Sequence, residues 1–227
     1  MKAFQLANKI LISLKNPYFG FVQGHYTYDE NELINIENLI NTSDAEIISD
    51  FEHKFSKIIG DGYSVSFASA RMGFYALLKS LNVGQDDEII IQGATCAVMV
   101  NAVFRVGAKP VYSDIDPKTF GSSAMEIAKS ITSRTKMIVA QHSFGIPCDI
   151  EEIVELANSK GIFLLEDCAI TLSSKINNIV CGNFGDAAIF STDHSKPINL
   201  LIGGLVYTRK QNLYRKLILI KNSYQIN

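Results

Sequence analysis

The 227-residue chain has no excess of charge of either sign: 21 Lys and Arg stand against 23 Asp and Glu, for a formal net charge of -2. Without a basic excess or a run of Lys and Arg, the sequence offers no electrostatic footprint for nucleic acid or an anionic membrane. Cysteine is scarce. Cys96, Cys148, Cys168 and Cys181 form neither a CxxC pair nor a paired spacing with histidine, which argues against zinc. They read as the reduced thiols of a cytosolic protein. No apolar run has the length needed to cross a bilayer, and Met1–Leu14 lacks the continuous apolar core and small-residue cleavage site of a secretory signal, so it reads as a helix. Also missing are a GxGxxG turn after a strand, an HExxH pair, a Ser-His-Asp order and an acidic metal cluster. Dinucleotide-binding, zincin and triad-hydrolase chemistries are thereby disfavoured.

What remains is 47% apolar and 19% charged, the composition of an ordinary globular protein large enough for one α/β domain with a proper core. Residues 1–60 read as a helical packing arm. Pro17, Gly20 and Gly24 break a first helix, Tyr26–Asp29 leads into a second apolar-periodic stretch at Glu32–Ile40, and a third at Asp44–Ile59 puts Ile47, Ile48, Phe51, Phe55 and Ile58 on one face. From 61 to 227 strand and helix alternate. The expected strands are Tyr63–Phe67, Glu88–Ile91, Pro110–Tyr112, Met137–Ala140, Ile162–Leu165, Ala187–Phe190 and Leu205–Tyr207. The expected helices are Met72–Leu81, Cys96–Val106, Ser123–Ile131, a helix capped by Asp149 and running to Lys160, and one from Lys210 onward. Such alternation predicts a mainly parallel sheet covered by helices on both faces, with ligands beyond the carboxyl ends of the strands. Ser69, His142, Asp167 and Ser191 all fall at or just after those ends.

The stretch Phe163–Gly204 concentrates the candidate chemistry. An apolar run ends in Glu166-Asp167, a second strand ends at Ser191, Lys196 follows, and then Gly203-Gly204. A lysine to hold an aldehyde, a buried carboxylate to keep a ring nitrogen protonated, and donors for a phosphate are the minimum set for pyridoxal 5'-phosphate. Asp167 suits the carboxylate role or a turn cap, and Lys196 the lysine role or a solvated surface position. The turn Ser69-Ala70-Arg71 offers helix N-terminal N–H groups for a phosphate, compatible with Ser69 as N-cap, and Ser191 adds a hydroxyl. His142 suits a neighbour of the cofactor or a hydrogen-bonded structural histidine, and His194 is a weaker candidate of the same kind.

In order along the chain, Ser69-Ala70-Arg71, Thr95-Cys96, Gly107-Ala108-Lys109-Pro110-Val111, Asp114-Ile115-Asp116, Arg134-Thr135-Lys136, His142-Ser143-Phe144-Gly145, Glu166-Asp167-Cys168-Ala169, Gly185–Ser191, Lys196 and Gly203-Gly204 resemble the DegT/StrS-type sugar aminotransferases. Those enzymes belong to the aspartate-aminotransferase-like, fold type I pyridoxal phosphate superfamily. The resemblance covers roughly residue 24 to the C-terminus. It implies a three-layer α/β/α large domain at 61–227 whose smaller C-terminal partner domain is missing, and a cytoplasmic homodimer. The activity implied is amino transfer, in two half-reactions, from an amino-acid donor to a keto group of a nucleotide-linked sugar. Lys196 then matches the Schiff-base and proton-shuttling lysine, Asp167 the pyridinium partner, and Ser69, Ala70, Arg71 and Ser191 the phosphate grip, with Cys96, His142 and Ala169 beside the cofactor. Three positions depart from the pattern: Cys96 stands where many members stack an aromatic, Ile170 where glutamine is common, and Pro197 where asparagine is usual. With the missing domain, these leave a second expectation open, a non-catalytic remnant serving as a cofactor-binding or interaction module. A sugar dehydratase of the same superfamily is disfavoured because Lys196 is a histidine in that branch.

Overall fold

The computed structural model describes residues 30–39 and 42–224. The expected helix at Met1–Leu14, its break at Pro17, Gly20 and Gly24, and the Tyr26–Asp29 stretch lie outside the described residues. Helices α1 (Glu30–Leu39) and α2 (Asp44–Ile59) precede the sheet. The first turn of α2 is closed by a reciprocal pair, Ser43 Oγ accepting from Glu46 N and Glu46 Oε2 from Ser43 N.

Strands β1 (Tyr63–Phe67), β2 (Glu88–Gln92), β3 (Lys109–Ser113), β4 (Thr135–Gln141), β5 (Phe163–Asp167), β8 (Ala187–Ser191) and β9 (Gly204–Thr208) form one sheet in the order β1-β9-β8-β5-β4-β2-β3. The pairs from β8 to β3 are parallel, and β9 is antiparallel to both β1 and β8. Six strands therefore point one way, and β9 alone begins where the others end. Helices α3 (Ala70–Ser80), α4 (Ala97–Arg105), α5 (Ala124–Ser130), α6 (Ile150–Lys160) and α7 (Gln211–Ser223) cover the faces.

Alternation along each strand sorts side chains between the layers. Ile89, Ile91, Met137, Val139, Leu165, Ile189 and Val206 pack with Phe74, Leu77, Met99, Val103 and Leu217. Ile90, Ile138, Ala140 and Leu164 face the other way, onto Ile127, Ile150 and Ile153. Ala188, Phe190, Leu205 and Tyr207 meet Phe55 and Ile59 of α2. Because both faces are covered, β2 is buried along its whole length, which its unbroken apolar run reflects. Among the described residues no helix is long and apolar enough to cross a membrane.

Several expectations need correction. The buried stripe of α2 is Phe55, Ser56 and Ile59, with Phe51 half-buried, whereas Ile48 and Ile58 are exposed. The stripe runs in steps of four because that line faces Phe190 and Tyr207. Asp149 occupies the N-cap position of α6 but its side chain makes no capping hydrogen bond. A small hairpin, β6 (Lys175–Ile176) and β7 (Ile179–Val180), was not anticipated, although Asn177 and Asn178, both with positive φ, are a standard two-residue connection.

Candidate functional site

The carboxyl ends of β1, β8, β5 and β4 and the start of β9 share one edge of the sheet. Here β1 leads directly into α3. Ser69 is extended (φ -164°, ψ 158°), its Oγ accepts from Met72 N at 3.2 Å and its carbonyl accepts from Gly73 N at 3.1 Å. Ala70 and Arg71, the first residues of the helix, have N–H groups with no intrahelical acceptor, at the positive end of an 11-residue helix. Strand β9 begins hard against this turn. A Cβ on Gly204 would lie 2.2 Å from Ala70 N and 2.5 Å from Ala70 Cα, so only glycine fits.

Asp167, the last residue of β5, is 5% exposed. Ala169 N donates to its Oδ1 at 2.9 Å, the one donor to this carboxylate among the described residues. Burial raises its pKa, countered in part by the Ala169 N–H and the charge of Lys196. Lys196 follows β8 in a turn closed by its N–H on Asp193 O at 2.9 Å. Asp167, Lys196, Cys96 and Ala169 line two adjoining cavities, of about 380 and 250 Å³. Ser69, Ala70, Arg71 and Ser191 complete the smaller one. Eight of the nine residues expected from the sequence thus meet around one space. A groove of about 490 Å³ between Tyr75, Arg105 and Tyr224 is larger, but it touches this site only through Arg71 and holds neither a carboxylate nor a lysine.

His142 is the ninth, and its expected place beside the cofactor is corrected. It is fully buried and lines neither cavity. Its Nε2 lies 3.1 Å from Glu166 Oε2, and Nδ1 accepts from Cys148 N at 3.2 Å. The Cys148 N–H aimed at Nδ1 asks for a lone pair there, which puts the ring proton on Nε2, shared with Glu166; burial opposes a charge on the ring, while hydrogen bonds with Cys148, Cys168, Cys181 and Glu166 raise its pKa. Glu166 also accepts from Gly182 N at 2.7 Å, Phe184 N at 2.8 Å and Gly185 N at 2.7 Å. His142 and Glu166 thus form a buried hub that ties the 182–185 loop behind Asp167. Cys168 completes a trio whose ligand atoms lie within 4.8 Å of one another. Both ring nitrogens are already engaged, however, and burial pushes the Cys168 thiol up to about 12, a donor set suited to hydrogen bonding and not to a cation. His194 lines neither cavity and pairs at 2.7 Å with its neighbour Asp193, which borders the smaller one.

Gln141 was missed by the sequence reading. It ends β4 and lines the larger cavity, its Oε1 accepting from Thr95 Oγ1 at 2.7 Å and its Nε2 donating to Ser143 Oγ at 3.2 Å. The strand-end rule that selected His142 would have found it had β4 been taken one residue further. Phe120 and Phe144 also line this cavity and were not singled out.

Comparison with known proteins agrees with this architecture. The chain is 34% identical over 206 residues to the GDP-perosamine synthase of Escherichia coli O157:H7, covering 90% of this chain and 57% of that protein. It is 34% identical over 172 residues to the UDP-N-acetyl-3-dehydro-alpha-D-glucosamine 3-aminotransferase of Acidithiobacillus ferrooxidans, covering 75% and 47%. The crystal structure of DesI in the presence of its TDP-sugar product superposes with a TM-score of 0.82 at 25% identity, over 91% of this chain and 54% of DesI. The chain spans about half the length of these relatives. The match to the family model runs over residues 29–224, and the chain belongs to the DegT/DnrJ/EryC1/StrS aminotransferase family.

Proposed function

We propose that this chain carries the cofactor-binding part of a pyridoxal 5'-phosphate-dependent aminotransferase. The enzyme passes an amino group from an amino-acid donor to a keto group of a nucleotide-linked sugar, as a cytoplasmic homodimer. The observation that carries the reading is the convergence of Asp167, Lys196 and the first turn of α3 on one space. A buried carboxylate whose donor among the described residues is the Ala169 N–H is costly to ionise unless a cation faces it, and a protonated pyridine ring is a cation of the right shape. The residues present therefore fit the cofactor.

When bound, the cofactor supplies an aldehyde and an electron-accepting ring. Asp167 would accept the ring N–H and hold the ring in its charged form. The N–H groups of Ala70 and Arg71, with the Ser69 and Ser191 hydroxyls nearby, would take the phosphate at the end of α3. Cys96 and Ala169 line the space for the ring. Lys196 Nζ would carry the cofactor covalently and, once displaced by an incoming amine, move the proton at the substrate carbon. The relatives support a nucleotide sugar as acceptor: they are named for a GDP-linked and a UDP-linked sugar, and DesI was crystallised with a TDP-sugar.

The test is spectroscopic. Pyridoxal phosphate added to the purified chain should give a visible absorbance band that survives dialysis, and Lys196→Ala should lack it. A wild-type protein that retains no band would overturn the proposal. A retained band without transfer of ¹⁵N from labelled glutamate to a keto sugar nucleotide would reduce the chain to a cofactor-binding module.

A further inference from the structure

At the rim of the 380 Å³ cavity that holds Asp167 and Lys196 stand two phenyl rings, Phe120 and Phe144. They are 52% and 76% exposed, with centroids 6.4 Å apart and planes at 82°. Both residues have positive φ, 56° and 54°, the left-handed region that bulky side chains avoid. Each is pinned there by its own loop. Phe120 N donates to Asp116 O at 2.8 Å and Asp116 N to Gly121 O at 2.9 Å, while the Asp116 carboxylate accepts from Lys118 N and Thr119 N at 3.2 and 3.1 Å. Phe144 sits in a turn closed by Ile146 N on Ser143 O at 2.9 Å and tethered by Ser174 Oγ on Gly145 O at 2.7 Å. Two loops, one after β3 and one after β4, thus hold strained backbone to bring aromatic rings to one place. Neither ring is buried by doing so, so the strain has no return in folding, and strained, over-determined residues of this kind gather at ligand sites.

The rest of the lining identifies the ligand chemistry. Ala94, Ile115 and Ile170 are apolar, Gln141 and Ser143 are uncharged hydrogen-bonding groups, and Lys196 is the only cation among the lining residues. A diphosphate or a dicarboxylate donor would need further cations. A hexose ring does not: its C–H face suits the electron-rich face of a phenyl ring, and its hydroxyls suit an amide and a hydroxyl. We infer that Phe120 and Phe144 form the platform for the sugar ring of the acceptor and discriminate it from the amino donor. This inference rests on the proposed amino transfer to a nucleotide sugar.

The experiment uses cofactor-loaded protein, with GDP-mannose and UDP-N-acetylglucosamine as probes, and GDP and UDP as controls. Saturation-transfer NMR should show stronger saturation of hexose protons than of base protons. Phe144→Asn removes the ring while placing at that position a residue that tolerates left-handed backbone. It should weaken binding of the sugar nucleotides about tenfold, leave binding of GDP and UDP unchanged, and hold thermal stability at or above wild type. Phe144→Tyr should restore affinity. Equal weakening of GDP and GDP-mannose would assign the rings to the nucleotide and overturn the inference. So would a loss of stability or dimer in Phe144→Asn without loss of sugar affinity, or a failure of both sugar nucleotides to bind. The cofactor band is read separately: ring-dependent sugar binding without that band would sink the aminotransferase reading alone.

Discussion

Asp167 illustrates how a single residue is set against the stability of its own fold. Burial raises its pKa, so the folded state prefers the protonated acid. For such a group the stabilising contribution is complete below the unfolded pKa and is lost as pH rises through the higher folded value. In cofactor-free protein, Asp167→Asn keeps an acceptor for the Ala169 N–H but removes the charge. The variant should match wild type at acid pH and gain on it towards neutrality, by about 1 kcal/mol. With pyridoxal phosphate present the order should reverse, because the variant has no charge to pair with the ring. Chemical denaturation of both proteins at several pH values, with and without cofactor, checks the crossing. A variant less stable than wild type under all conditions would show that Asp167 serves the fold and not the ligand.

At the scale of elements, the site depends on one antiparallel strand in an otherwise parallel sheet. Because β9 runs against its neighbours, its first residue meets the first turn of α3, and Gly204 is the point of contact. Gly204→Ala would drive a methyl group into the backbone of Ala70, which cannot swing aside as a side chain would. The expected cost is about 3 kcal/mol, with loss of cofactor retention. Gly161→Ala is the control: its Cβ would meet nothing within 4 Å, and only its left-handed φ of 64° opposes the change, for about 1 kcal/mol. Equal losses in the two variants would sink the close-approach argument. The Gly203-Gly204 pair was visible in the sequence, as were Asp167 at the end of an apolar run and Lys196 between two strands. Their meeting point was placed by the strand-end rule, which needs no side-chain detail. The same rule failed at β4, where side-chain direction alternates: ending the strand at Ala140 instead of Gln141 drew attention to His142, which turns inward to Glu166. Ile48 and Ile58 were misplaced for a related reason, since helical periodicity gives the width of a stripe but not which rows meet the sheet. Phe120 and Phe144 carry no local signal, because their positive φ is imposed by the loops that hold them.

For the molecule as a whole, the site is where distant parts of the chain converge at one edge of the sheet, paired strand to strand as Phe67 with Gly204, Ser191 with Gly204 and Asp167 with Ile189. The β1–α3 turn, the end of β5, the loop after β8 and the start of β9 contribute Ser69, Asp167, Lys196 and Gly203 to one cavity, across more than a hundred residues of sequence. Backbone pairing and the layers on either face of the sheet hold these segments, and the cavity opens at the edge beyond their last paired residues. A ligand that bridges them adds contacts available only in the folded state, so its binding energy becomes folding energy. At a hundredfold excess over its dissociation constant, pyridoxal phosphate should contribute about 2.7 kcal/mol. For a chain of this size that raises the melting temperature by about 5–10 °C. The gain should be local as well as global. Hydrogen exchange should slow at residues 68–72, 167–170 and 191–204 on loading, while the α5 and α6 layer, which packs Ile127 and Ile153 against Ile90, Ile138 and Leu164 on the other face of the sheet, should change only through the global shift. Lys196→Ala, which keeps Asp167 and the α3 turn, should retain part of this protection at high cofactor concentration, because the phosphate and ring contacts persist without the covalent link. Protection confined to the lysine loop, or absent from residues 68–72, would contradict a phosphate held at the start of α3 and require the cofactor to be gripped from one side of the cavity only.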